Sequence, residues 1–319
     1  MYDIMLGAIS LGLLWGIMTL GVYLTYRILD VADLSVEGTI ALGGAVAARM
    51  IAGGMNPWLA TLCAIVAGLF GGFITGILHT KLKIPALLSG ILTMIALYSI
   101  NLRVMGKSNT PLLRVKTVFT PLEALGLSKT MAALVLGLII VVGVSVVIYW
   151  FFGTELGSAI RATGNNQNMV RAQGVHTGTM IIIGLVLSNG LVALSGALIA
   201  QYQSYADVQM GTGSIVIGLA SLIIGEVLIG TKSFKRTLFA LAFGAVLYRV
   251  IIATVLDLGM NANDLKLFTA ITVAFCLSLP MIKSSIKNSM FYKILVEKIN
   301  NMKSRFKNSR SNKNQKGGR

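Results

Sequence analysis

Long apolar runs separated by short polar clusters set the pattern of the chain. Breaking the sequence at charges, prolines and glycine clusters predicts nine apolar helices. They cover residues 4–27, 38–52, 57–80, 84–105, 130–152, 177–201, 214–230, 237–257 and 266–282. A bilayer core takes ~20 apolar residues to cross as a helix, and most of these runs reach or approach that length. The second and seventh are unusually short for spans that follow full-length ones. The pattern predicts an all-α polytopic membrane protein.

The two short segments open in related ways. Ala32 to Gly43 reads Ala-Asp-Leu-Ser-Val-Glu-Gly-Thr-Ile-Ala-Leu-Gly, and Ala206 onward reads Ala-Asp-Val-Gln-Met, then, after two extra residues, Gly213-Ser-Ile-Val-Ile-Gly. The copies lie five spans apart, an odd number, so the halves around them would have opposite topology. Inverted repeats with short, glycine-interrupted spans at matching positions point to a transport pathway. The expected organisation is a membrane domain over 1–282, with repeats of about 1–152 and 177–282, a connecting loop at 153–176 and a tail at 283–319.

Composition narrows the class. Hydrophobic residues make up 55% of the 319 positions and charged residues 12%, with a mean hydropathy of +0.80. A soluble domain carries roughly 25% charged residues, so a soluble enzyme, a disordered chain and a coiled coil are excluded. The net charge of +16 is local: residues 283–319 hold eleven Lys/Arg against one acid, Glu297. A basic tail after an apolar span reads as an anchor to anionic lipid rather than a nucleic-acid site. Lys/Arg in the shorter loops tie at eight against eight, and the four basic residues from Lys283 to Lys298 tip the balance. This orientation puts the C-terminus in the cytoplasm and the N-terminus outside. The first run has no basic leader region or cleavage site and is expected to be a retained span. Cys63 and Cys276 lie in apolar runs and are expected to be core residues.

Candidate chemistry is sparse. Asp30, Asp33 and Glu37 have i, i+3, i+7 spacing and would share a face if all were helical, where they could hold a cation or guide a proton. Alternatively, Asp33 caps the short span and Glu37 complements its dipole, with Arg27 near enough to balance charge. Asp33, Ser35 and Glu37, together with Asp207, Gln209 and Ser214 of the second copy, are candidates to line a path. Glu226 and Arg249 lie within apolar runs, where an ionisable group must face protein, water or a partner; interhelical pairing and contact with a transported solute are both open. Gly68, Gly72 and Gly76 form a double G-x-x-x-G, which lets another helix approach closely. No catalytic or metal-ligating set is expected: the phosphate-loop-like stretch Gly225 to Ser233 has one residue too many before Lys232 and lies in a span.

The loop 153–176 is longer than a bare connection needs. It predicts a short helix from Glu155 to Thr163, a turn at Gly164, Asn165 and Asn166, and a second short helix ending at Gly174. Its pattern of Gly157, Arg161, Ala162, Gly164, Asn166, Ala172, Gly174 and Val175 resembles the coupling loop in permease subunits of bacterial ABC importers of the branched-chain amino acid and ribose type. Asp33-Leu-Ser-Val-Glu37-Gly is similar to the "D-L-S-V-G" segment of the sugar members, and Leu194-Ser-Gly-Ala to their "L-A-G". Two departures are the loop's missing second Ala and terminal Leu-Pro, and the charge that Glu37 adds.

The resemblance implies a type II-like permease in a bacterial cell membrane, working as a homodimer or with a related permease. Two cytoplasmic ATPases would grip Glu155, Gly157, Arg161, Ala162, Gly164, Asn165, Asn166, Arg171, Ala172 and Gly174. An extracytoplasmic binding protein would deliver a small solute, an aromatic or branched-chain amino acid being favoured. ATP and Mg would belong to the ATPase and no cofactor to this chain. The rival reading is an ion-coupled secondary transporter using Asp33, Glu37, Asp207 or Glu226.

Overall fold

A computed structural model describes residues 2–259, 264, 267–275, 278 and 281. Each apolar run through residue 257 is helical. The long helices are α1 (Tyr2–Tyr23), α3 (Pro57–Thr80), α4 (Ala86–Met105), α6 (Lys129–Phe151), α9 (Thr177–Gln203) and α11 (Phe234–Asp257). Among the described residues these six are long and apolar enough to cross a membrane. The short ones are α2 (Ser35–Ala52) and α10 (Ser214–Ile229), of 18 and 16 residues. The expected ninth helix is helical over residues 267–275, and the tail from residue 282 lies outside the described residues. Smaller elements are α5 (Thr120–Glu123), α7 (Glu155–Asn165), α8 (Gln167–Ala172), and strands β1 (Asn109–Pro111) and β2 (Tyr205–Asp207).

Two features depart from the hydropathy pattern. First, α1 ends in a π turn, Leu24–Ile28, in which the Leu29 N–H donates to the Leu24 carbonyl at 3.0 Å. A π turn inserts into a helix without changing its apolar composition, so hydropathy does not register it. Second, β1 and β2 pair antiparallel, with Asn109 opposite Asp207, a small β element in an otherwise helical chain.

Glycine governs the packing. A Cβ on Gly68 or Gly72 would run into the α9 backbone at Asn189 or Leu185, and one on Gly76 would come within 3.0 Å of Ile182. The double G-x-x-x-G is therefore the α3 face of the α3/α9 seam. Gly43 and Gly196 likewise bring α2 and α9 together, and Gly225 and Gly244 bring α10 and α11 together. Small residues drive such approach because apolar side chains gain little by leaving lipid for protein. Cys63, expected in the core, is exposed on α3, because the small residues of that helix, not its sulfur, face α9.

The two short helices both begin inside the bundle. Ser35, at the start of α2, meets Asn189 of α9, twelve residues or about 18 Å along α9 from its first residue. At the start of α10, Gly211 packs on the Glu37 carbonyl and the Gly213 N–H donates to the Glu37 carboxylate at 3.0 Å. The segment leading into α2 follows the π turn at one end of the bundle. The segment leading into α10 follows the β1/β2 ladder at the other.

Candidate functional site

The connection between α6 and α9 folds into a compact knob. The Thr154 hydroxyl accepts from the Gly157 N–H and starts α7, and the Asn166 side chain accepts from the Met169 N–H and starts α8. Such caps satisfy N–H groups that a helix leaves without a partner. Gly174 closes the knob at φ +84°, a conformation that costs glycine least. The expected helices appear, the first extended through Asn165, so that the turn narrows to Asn166, and the second ending at Ala172 rather than Gly174.

Both arginines of the knob are held within the chain. The Arg161 guanidinium lies over the Phe234 ring at 4.2 Å and the Phe152 ring at 5.5 Å, which ties α7 to the starts of α11 and of the knob. Arg171 donates to Thr177 at 2.7 Å and to Gln167 at 3.3 Å. Gly157 packs on Phe151, and a Cβ on Gly164 would meet the Ile28 carbonyl. The closeness that Gly164 permits is therefore to the π turn of α1. Ala162 is half-buried, while Glu155, Asn165, Asn166, Arg171, Ala172 and Gly174 are exposed. Two exposed apolar side chains, Leu156 and Met169 at 50% and 48%, face outward with them; only their apolar character on polar short helices could have signalled them.

Between the knob, the π turn and the facing ends of α10 and α11 lies a polar cleft of about 560 Å³, lined in part by Tyr23, Arg27, Arg161, Asn165, Glu226 and Phe234. Across it Arg27 donates to both carboxylate oxygens of Glu226, at 3.2 and 3.1 Å. Glu226 is thus paired between helices, with a partner 199 residues away. Arg27 is not the counter-charge of Asp33 or Glu37.

Residues 29–34 carry the chain from the π turn into the interior. They are not helical, and Asp30 has φ +55°, so Asp30, Asp33 and Glu37 do not share a helix face. Asp33 is 2% exposed; its carboxylate accepts from Asn189 Nδ2 at 2.8 Å and from the Ser35 N–H at 2.9 Å. The Thr39 hydroxyl donates to Asn189 Oδ1 at 2.6 Å. Asn189, absent from the sequence candidates, thus links α9 to both Asp33 and α2. A lone amide in the middle of an apolar run was the available signal.

The other candidates lie apart from this cluster. Asp207 accepts from the Gln209 N–H at 2.7 Å in the turn after β2. Gln209 is exposed, and Ser214 is buried with its hydroxyl unpartnered among the described residues. Arg249 stacks over Trp15 at 4.2 Å, joining α11 to α1, and its Nε has no hydrogen-bond partner among the described residues.

Comparison with known proteins places these features in context. A family model described as the permease component of the branched-chain amino acid transport system matches residues 4–277. The chain belongs to this family. This permease is the membrane subunit of an ABC importer, and it is 42% identical over 291 residues to the tyrosine transport system permease protein of Clostridioides difficile (strain R20291), covering 91% of this chain and 95% of that one. It is 28% identical over 250 residues to a fructose import permease of Bifidobacterium longum (strain NCC 2705), covering 76% of this chain and 67% of that one. To the ribose import permease of Escherichia coli (strain K12) it is 27% identical over 199 residues, 60% of each chain. No solved structure matches the permease.

Proposed function

We propose that the permease carries an amino acid, aromatic or branched-chain, across a bacterial cell membrane, driven by ATPases that dock on the α7–α8 knob. The carrying observation is the knob itself: it is seated on the π turn through Gly164 and presents Leu156 and Met169 outward. Its contact with residues 24–28 gives it a direct route to the start of α2. The substrate class draws support from the tyrosine-transport relative. In this reading the knob and C-terminus are cytoplasmic and the N-terminus is outside. A second permease chain, two ATPases and an extracytoplasmic binding protein complete the assembly.

The reading includes two inverted repeats, of about 1–152 and 177–282, which matched helix pairs support. Helix α1 packs on α11 as α9 packs on α3, and α2 packs on α3 as α10 packs on α11. The ion-coupled alternative draws less support, because Asp33, Glu37, Asp207 and Glu226 each accept hydrogen bonds within the chain.

The test is ATP-driven uptake of labelled L-tyrosine and L-leucine by the reconstituted assembly, with Leu156→Asp/Met169→Asp as the variant. Both side chains are exposed, so folding should be unaffected, while ATPase co-purification and uptake should fall at least tenfold. Full uptake by that variant, or uptake by the chain alone on a sodium or proton gradient, would overturn the proposal.

A further inference from the structure

Beside the meeting point of α2 and α10 lies a cavity of about 390 Å³, walled by α2, α4 and the segment before α10. Glu37, Tyr98, Ser99, Asn101 and Thr212 give it its polar character, and among the described residues no Lys or Arg lines it. Asn101 is fully buried; its Nδ2 donates to the Gly38 carbonyl at 3.2 Å, and its Oδ1 has no hydrogen-bond partner among the described residues. The contact with a carbonyl fixes the amide orientation, since the oxygen could not take the place of the nitrogen there. A buried acceptor without a partner is costly and marks a place where a donor belongs.

The Glu37 carboxylate accepts from the Gly213 N–H and from the Ile215 N–H, but a carboxylate offers about four acceptor sites, so capacity remains. The cavity thus combines a carboxylate, an orphaned amide oxygen and hydroxyls, with the Tyr98 ring at its rim. Acceptors without a neighbouring cation suit a ligand bearing a positive charge and several N–H donors, and an aromatic face adds to that preference. The volume is at the small end of the roughly 300 to 1,000 Å³ of small-molecule sites.

We propose that this cavity is a subsite for the α-ammonium group of an amino acid, with Glu37 and Asn101 Oδ1 as its acceptors. The proposal deepens the amino-acid import reading and rests on it. It adds recognition within the membrane subunit itself, at the junction of the two short helices.

The experiment uses the assembled permease, ATPase and binding-protein complex in phosphatidylglycerol nanodiscs, with Cys63→Ala and Cys276→Ala and a reporter at Ser99→Cys. Modification by a cationic methanethiosulfonate, normalised to its rate with a small free thiol, should exceed that by an anionic one at least about tenfold. L-tyrosine and tyramine should slow it, and 3-(4-hydroxyphenyl)propionate, which lacks the ammonium, should not. Glu37→Gln, which can still accept from Gly213, should remove both the charge preference and the protection. The subsite is overturned by absence of labelling, absence of a charge preference, equal protection by the deaminated acid, or persistence of the effects in Glu37→Gln. Protection by phosphatidylethanolamine in place of tyrosine would assign the ammonium to a lipid headgroup and also overturn it. Intact L-tyrosine uptake alongside any of these negative results would leave the import reading standing. Protection by tyramine in a complex that takes up neither tyrosine nor leucine would support the subsite and overturn the import reading.

Discussion

The first turns of α2 and α10 solve the same problem with different partners. Each helix begins inside the bundle, where its first N–H groups are buried or half-buried and take acceptors from protein. At α2 the acceptor is Asp33, two residues before the first N–H it serves and itself held by Asn189. At α10 the acceptor is Glu37, which belongs to α2. The start of α10 is therefore built on α2, while α2 takes its cap from its own approach segment and its anchor from α9. Similar sequence openings, Ala32-Asp33 and Ala206-Asp207, conceal this: Asp207 serves a local turn at the bundle end and caps no membrane helix.

That asymmetry predicts a graded series, each read as thermal unfolding of the purified permease in detergent. Asp33→Ala leaves the Ser35 N–H and Asn189 Nδ2 buried without this acceptor, at ~1–3 kcal/mol for each, and should be the most damaging of the set. Asp33→Asn keeps one acceptor oxygen, enough for the Ser35 N–H or for Asn189 Nδ2 but not for both, and should recover about half of the loss. Full recovery would mean that one of the two hydrogen bonds contributes nothing to the start of α2.

Glu37→Ala removes the cap of α10 and should cost about 1 kcal/mol, the usual value of a helix cap, with Glu37→Gln near the parent protein. If α10 is built on α2, Asp33→Ala and Glu37→Ala should not be additive, with a coupling of about 0.5 kcal/mol or more in a double-mutant cycle. Strict additivity would make the two helix starts independent. Smallest of all, Asp207→Ala at the half-exposed turn should fall within about 0.5 kcal/mol of the parent; a larger loss would restore the equivalence that the two sequence copies suggest.

Local signals in the sequence carried much of this architecture. Gly68, Gly72 and Gly76 marked a close helix contact because their spacing puts three missing side chains on one face, and α9 occupies that face. The turn read at Gly164, Asn165 and Asn166 and the stop at Gly174 placed the knob's two helices to within about two residues at their ends. What was illegible depended on residues far apart in the chain. Nothing near Glu226 indicates Arg27, and nothing near Gly164 indicates whether the space it leaves belongs to a partner or to Ile28. The spacing of Asp30, Asp33 and Glu37 misled for a related reason: periodicity assumes a continuous helix, and the chain leaves the helical path after the π turn. Asn101 and Asn189 were hidden as single polar residues in apolar runs, whose roles depend on the backbone or carboxylate they meet.

The hydrogen bond between Asp33 and Asn189 also has a meaning in time. The two residues are separated by 156 positions, so on a ribosome adding about 5 to 20 residues per second the amide follows the carboxylate by roughly 8 to 30 s. Throughout that interval the Asp33 carboxylate can reach the nearby Ser35 N–H but not Asn189. The start of α2 gains its anchor on α9 only after α9 has been made. Maturation of this protein is therefore expected to be governed by the order of synthesis, with the early helices held by the insertion machinery, or partly in water, until the later ones arrive.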